Sequence, residues 1–101
     1  MHIWGDTDEL HLSGPLDVHS AADVRSRVHE AIDRGEGDFV LDVSGVDSLD
    51  ATGLGLLVAI HRRAGRRERR FILRGVTPAV HRVLVITRLH RILILEGAVA
   101  A

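Results

Sequence analysis

The 101-residue chain carries 46% apolar and 27% charged residues, an ordinary balance for a globular protein, and is long enough for one modest core but not for two. No apolar run approaches the roughly 18 residues of a membrane span. The opening MHIWGDTDEL lacks the basic flank and apolar stretch of a secretory signal, so membrane insertion is not expected and the chain reads as cytosolic. Cysteine is absent, which excludes a thiolate nucleophile and a thiolate zinc site; the seven histidines, at 2, 11, 19, 29, 61, 81 and 90, form neither an i, i+4 pair nor a His-Glu-x-x-His pattern. No metal or other cofactor is expected.

The net charge of −1 hides a division. Residues 1–50 hold twelve Asp/Glu against three Arg, a net of −9, whereas residues 51–101 hold two Glu against ten Arg, a net of +8. All thirteen basic residues are arginine, a planar, permanently charged group suited to bidentate contact with carboxylate or phosphate.

In chain order, ELHLS at 9–13 alternates with the period of a half-buried strand, and Ile3-Trp4 can pair beside it before Gly14-Pro15 ends the ladder. Ser20 and Asp23 make a capping-box-like start for an amphipathic helix. Ala21, Val24, Val28, Ala31 and Ile32 line its apolar face, and Gly35 closes it. DFVLDV at 38–43 is short, β-branched and nearly continuous in apolarity, as expected of a central strand covered on both faces. A second helix runs from about residue 51 or 52 to about 66, with Leu54, Leu57, Val58 and Ile60 facing the sheet and Leu56 outside that stripe. FILR at 71–74 is a further core strand. Thr77-Pro78 opens a helix through Val80, Val83, Leu84 and Leu89, ILIL at 92–95 is the final strand, and EGAVAA trails as a tail or a stub of helix. Strand-helix alternation implies right-handed crossovers and a mostly parallel sheet with an antiparallel pair at the N-terminal edge, an α/β fold.

Enzymatic machinery is not evident. Gly53-Leu54-Gly55 lacks the further residues of a dinucleotide or P-loop motif, and Asp42, Asp47 and Asp50, which could gather like the acids of a receiver's magnesium site, lack the lysine such a site needs. The run HRRAGRRERRFILR at 61–74 forms a positive knob at the end of the second helix, where the dipole favours cations. With Trp4, Phe39 and Phe71 as the only aromatics, it lacks the stacking platforms of a nucleic-acid surface, and an acidic face on a protein is the better-matched partner. At the mouth of the second helix, Asp50 and Thr52 both offer a cap where one suffices. The other is available for function, and a phosphoryl group there would meet free N–H groups and the positive end of the dipole.

GPLD at 14–17, DVSGVDSLDATGLGLLV at 42–58 and VTPAV at 76–80 resemble the STAS domain, specifically the bacterial anti-sigma factor antagonists, over about residues 9–95. The resemblance implies a single STAS domain over 1–101: a mixed, mostly parallel sheet of four to five strands, three helices, and a short or missing C-terminal fourth helix. It also implies a binding module rather than an enzyme. Such a module docks an anti-sigma factor that is also a serine kinase, is released when that kinase phosphorylates the start of the second helix, and is restored by a PP2C-type phosphatase. Matched residue by residue, Asp17 is the family's acid after the second strand, Asp50 the acid preceding the acceptor, and Gly53, Leu54 and Gly55 the helix opening. The docking surface implied comprises Asp17, Asp47, Asp50, Thr52, Gly53, Leu54 and Leu56. The family's phosphoacceptor serine is here Ala51, and Thr52 matches the second hydroxyl. Three readings follow: an antagonist that cannot be switched off in the usual way, one that uses Thr52, or another STAS branch such as an accessory subunit of a lipid-transport ABC system. The shortened C-terminus leaves room for a homodimer or a partner.

Overall fold

The computed structural model describes residues 1–97. Its strands β1 (His2–Gly5), β2 (Glu9–Ser13), β3 (Phe39–Gly45), β4 (Phe71–Arg74) and β5 (Ile94–Glu96) form one five-stranded sheet in that order. β1 is antiparallel to β2, and the pairs that follow are parallel. Between the parallel strands lie α1 (Ala21–Arg34), α2 (Ala51–Arg66) and α3 (Pro78–Ile86), the last followed by a 3-10 turn at Leu89–Arg91. The mixed α/β architecture expected from the strand-helix alternation is present.

The strand order steps in one direction only, so right-handed crossovers place all three helices on the same face. Burial follows: Leu10, Leu12, Phe39, Leu41, Val43, Phe71 and Leu73 are buried, while of the alternate residues Glu9, His11, Val40, Asp42 and Arg74 are partly exposed and Ile72 alone is buried. The expectation that β3 is covered on both faces is therefore corrected. It is central in the sheet, but no helix among the described residues reaches the second face. One row of that open face is a charge ladder across four strands. His11 lies 3.3 Å from Asp42 and 3.1 Å from Glu9, and Arg74 pairs with Glu9 and with Glu96.

Three further expectations are revised. Ser20 makes no side-chain cap; its Oγ donates to the Pro15 carbonyl at 2.8 Å and accepts from the Asp17 N–H at 3.1 Å, and its backbone is already helical. Asp17 instead caps the lead-in turn, its Oδ1 accepting from the N–H groups of His19 and Ser20 at 2.9 and 3.2 Å. The inward stripe of α2 is Gly53, Leu56, Leu57, Ile60 and Ala64, turned from the expected one. Leu56 is fully buried and Leu54 and Val58 are half-buried, because Gly53 rather than Leu54 is pressed against the Leu16 loop. Finally, Leu89 falls in the 3-10 turn rather than α3, and β5 begins at Ile94 rather than at residue 92. The Thr77 cap holds: its Oγ1 accepts from the Val80 N–H, with proline at the first helical position. Beyond Gly97, the expected tail or stub of helix lies outside the described residues.

The arginine run is largely spent on internal acids. Arg63 and Arg67 both reach Asp33, Arg70 forks onto Asp38, and Arg69 is buried at 4% exposure. The Arg69 guanidinium lies 5.4 Å from the Phe39 ring centroid. It donates to the carbonyls of Gly37, Thr7, Ala31 and Ile32 at 2.9–3.2 Å and to Asp8 at 2.9 Å, closing the C-terminus of α1 and the loop into β3. Asp33, Asp38 and Asp8 belong to the first half of the chain, so part of the charge division seen in the sequence is neutralised by folding one half onto the other.

Candidate docking surface

The second helix begins where two loops meet. Leu16 and Leu49 form an isolated parallel bridge, with the Leu16 N–H donating to the Ser48 carbonyl at 3.0 Å and the Asp50 N–H to the Leu16 carbonyl at 3.4 Å. Gly53 permits this closeness: a Cβ there would lie 2.3 Å from the Leu16 oxygen and 2.6 Å from Leu49 Cδ1. Asp50 locks the junction. Its backbone is extended, its Oδ1 accepts from the Gly53 N–H at 2.8 Å, and its Oδ2 accepts from the Val18 N–H at 3.2 Å. One carboxylate thus caps α2 and ties the loop after β2 to it.

This geometry decides which of the two candidate caps serves the helix. Asp50 does, and the exposed Thr52 hydroxyl has no hydrogen bond among the described residues. Ala51, at the first helical position, is exposed as well. Around them lie exposed Asp47, half-buried Asp17 and Leu54, and Val18 at 63% exposure. Arginine is absent from residues 1–24 and 35–61, so Asp17, Asp47 and Asp50 have no arginine close to them in sequence, whereas Arg27 stands one helical turn from Asp23 on α1. The surface is acidic with an apolar point at Val18.

Of the residues expected to form this surface, Asp17, Asp47, Asp50, Thr52 and Leu54 come together with solvent access. Gly53 acts from beneath as a spacer, and Leu56 belongs to the core. Val18 went unnoticed in the sequence, where its one signal was a lone apolar residue between two polar turn residues. The receiver-like grouping of Asp42, Asp47 and Asp50 does not form. The Asp42 carboxylate is engaged by His11 and by the Ser44 N–H at 2.9 Å, and that of Asp50 by the helix cap.

Comparison with known proteins agrees with this architecture. The family model described as "Mlab, STAS domain" matches residues 2–96. The chain is 31% identical over 85 residues to an anti-sigma F factor antagonist of Paenibacillus polymyxa, covering 83% of this chain and 73% of that one. Among solved structures, a putative anti-sigma factor antagonist from Thermotoga maritima superposes with a TM-score of 0.80 at 25% identity, covering 96% of this chain and 86% of the other. A sulfate transporter family protein from Wolinella succinogenes shares the fold, with a TM-score of 0.71 at 22% identity over 89% of this chain and 76% of that one. A sheet of this order with an acid-capped second helix defines a STAS-type domain. The chain belongs to the STAS domain family, and the relatives it resembles in sequence are anti-sigma factor antagonists.

Proposed function

We propose that the protein is a regulatory binding module, an anti-sigma factor antagonist or antagonist-like protein, that works in the cytoplasm without catalytic machinery of its own. It docks a serine-kinase anti-sigma factor through the surface of Asp17, Val18, Asp47, Asp50, Thr52 and Leu54, with Gly53 holding the loops in contact. The observation that carries this reading is the division of labour at the helix mouth. Asp50 does the capping, leaving an exposed Thr52 hydroxyl beside an alanine in the acceptor position. No arginine lies close in sequence to Asp17, Asp47 or Asp50, so the surface suits a partner that presents basic groups, and low salt speeds association. A phosphoryl group on Thr52 would add about −1.5 to −2 charges to an already acidic patch and repel the partner; removal by a PP2C-type phosphatase would restore docking.

Intact-mass measurement after incubation with the kinase and ATP tests the reading, comparing wild type, Thr52→Ala and Ala51→Ser. A phosphate on wild type that vanishes in Thr52→Ala assigns the switch to Thr52. A phosphate on Ala51→Ser alone identifies an antagonist whose docking surface persists without its switch. A second reading, an accessory subunit of a lipid-transport ABC system, is favoured by the alanine itself, since such a subunit has no use for the kinase's acceptor. Recovery of a transporter ATPase and of no anti-sigma kinase in a pull-down would select it.

A further inference from the structure

Most of the arginines in the basic run are paired with carboxylates; among the described residues Arg25, Arg27, Arg62 and Arg66 on α1 and α2 are not, and one further corner combines unpaired arginines with exposed apolar side chains. From Thr77 through Leu95 the chain contains Arg82, Arg88 and Arg91 and no acid, and none of the three has a carboxylate within ion-pair distance among the described residues. The same segment exposes apolar side chains, Ile86 at 74% and Ile92 at 53%, with Val85 at 41%. Successive turns from Val85 to Leu93 gather them: Arg88 donates its N–H to Val85, Arg91 to Arg88, and Ile92 and Leu93 to Leu89. The corner lies where α3 ends and β5 begins, at the N-terminal ends of the parallel strands. The docking surface lies at their C-terminal ends, the length of a helix away.

We infer that this basic, apolar corner seats on the acidic docking surface of a second copy of the chain, joining copies head to tail. Charge complementarity selects that occupant. Two such corners brought face to face would oppose their arginines, which disfavours a two-fold pairing of like with like. The acidic surface of another copy supplies Asp17 and Asp47, with Asp23 at its edge one helical turn from Arg27, and Val18 as an apolar counterpart to Ile86 and Ile92. Such a contact is heterologous, so it builds chains or rings of copies rather than a two-fold dimer. It also covers the surface described above. Resting on that docking reading, self-association and partner binding become mutually exclusive, and protein concentration becomes a control on how much docking surface is open.

Sedimentation velocity on this protein alone tests the inference, with vesicles of phosphatidylcholine and phosphatidylglycerol as a second arm. The expected result is a weight-average mass that rises with concentration at low salt and returns to the 11.1 kDa monomer at high ionic strength. Arg88→Glu/Arg91→Glu and Asp23→Arg/Asp47→Arg, each checked for an unchanged melting profile, are each expected to stay monomeric alone. Mixed together they are expected to pair one to one, because one retains the acidic surface and the other the basic corner. A wild type that stays monomeric at low salt, double variants that associate like wild type, or a mixture that fails to pair would overturn the inference. Binding to the anionic vesicles without self-association would also overturn it and assign the corner to a lipid surface. No partner is present in either arm, so failure here leaves the docking reading standing, and failure of the kinase experiment leaves this one standing.

Discussion

Asp50 offers the sharpest test of how the site is built, because one carboxylate performs two separable tasks. Asp50→Ala removes the acceptor of the Gly53 N–H at 2.8 Å and that of the Val18 N–H at 3.2 Å. Loss of the helix cap costs about 1 kcal/mol. The second bond is longer and its donor can be rehydrated at the surface, so it adds about 0.5–1 kcal/mol, the lower part of the usual range. The sum, about 1.5–2 kcal/mol, lowers the melting temperature of a domain this size by roughly 6–16 °C. Asp50→Asn keeps one acceptor for Gly53 but turns an NH2 group towards Val18, and is expected to cost about 0.5–1 kcal/mol. Thermal unfolding followed by circular dichroism, with urea titration alongside, reads the order wild type, Asn, Ala. An Ala variant that melts with wild type, or Asn and Ala variants that cannot be told apart, would refute the two-task assignment. Binding to the proposed kinase partner separates shape from charge. Asp50→Asn retains the cap, so a loss of affinity confined to low salt would report the missing charge.

Arg69→Met is expected to cost about 3–4 kcal/mol, because it removes one donor that several carbonyls and Asp8 share, whereas Arg70→Met at an exposed pair should cost much less; equal losses in urea unfolding would contradict the distinction. Gly53→Ala should destabilise by about 1–3 kcal/mol, since its methyl group meets the Leu16 carbonyl, and should weaken docking by parting the two loops. Gly55→Ala, with nothing near its Cβ, should stabilise by about 0.5–1 kcal/mol in the same assay. His29, whose Nε2 is buried without a partner among the described residues, is held below the usual histidine value by burial and then by Arg63 and Arg25. The unfolded chain then binds the extra proton more readily, so its contribution is complete above about pH 6.5 and is lost as pH falls towards the folded value. His29→Leu should flatten that slope in melting temperature against pH. Below about pH 4 a separate loss is expected in both proteins, because Asp33 and Asp38 are held low by hydrogen bonds from Arg63 and Arg70, and their contribution, present above the unfolded value, disappears on protonation.

Local pattern was enough to place most elements and the family. Alternation marked β2, helical spacing marked all five buried residues of α1, and Thr77-Pro78 marked the start of α3, since each depends on residues close in sequence. The motif from Asp42 to Val58 pointed to the proposed docking surface, with Ala51 where the family resemblance implies the acceptor. Three things depended on contacts between residues distant in the chain. That the Asp50 carboxylate which caps α2 also ties down the loop at Val18, 32 residues earlier, is something periodicity cannot register. The rotation of α2, and with it the burial of Leu56, was set by Gly53 pressing against Leu16, because a helix with apolar residues nearly all round has no preferred face until a neighbour chooses one. The arginine run was legible as charge but not as structure: whether a guanidinium is a ligand for a partner or a brace within the fold depends on which acid lies opposite. Composition, periodicity and motif spacing are properties of the chain read along its length, and they determined the class and the region of function. Pairing across the fold is a property of distance in space, and it alone decided which of those residues are left to meet a partner.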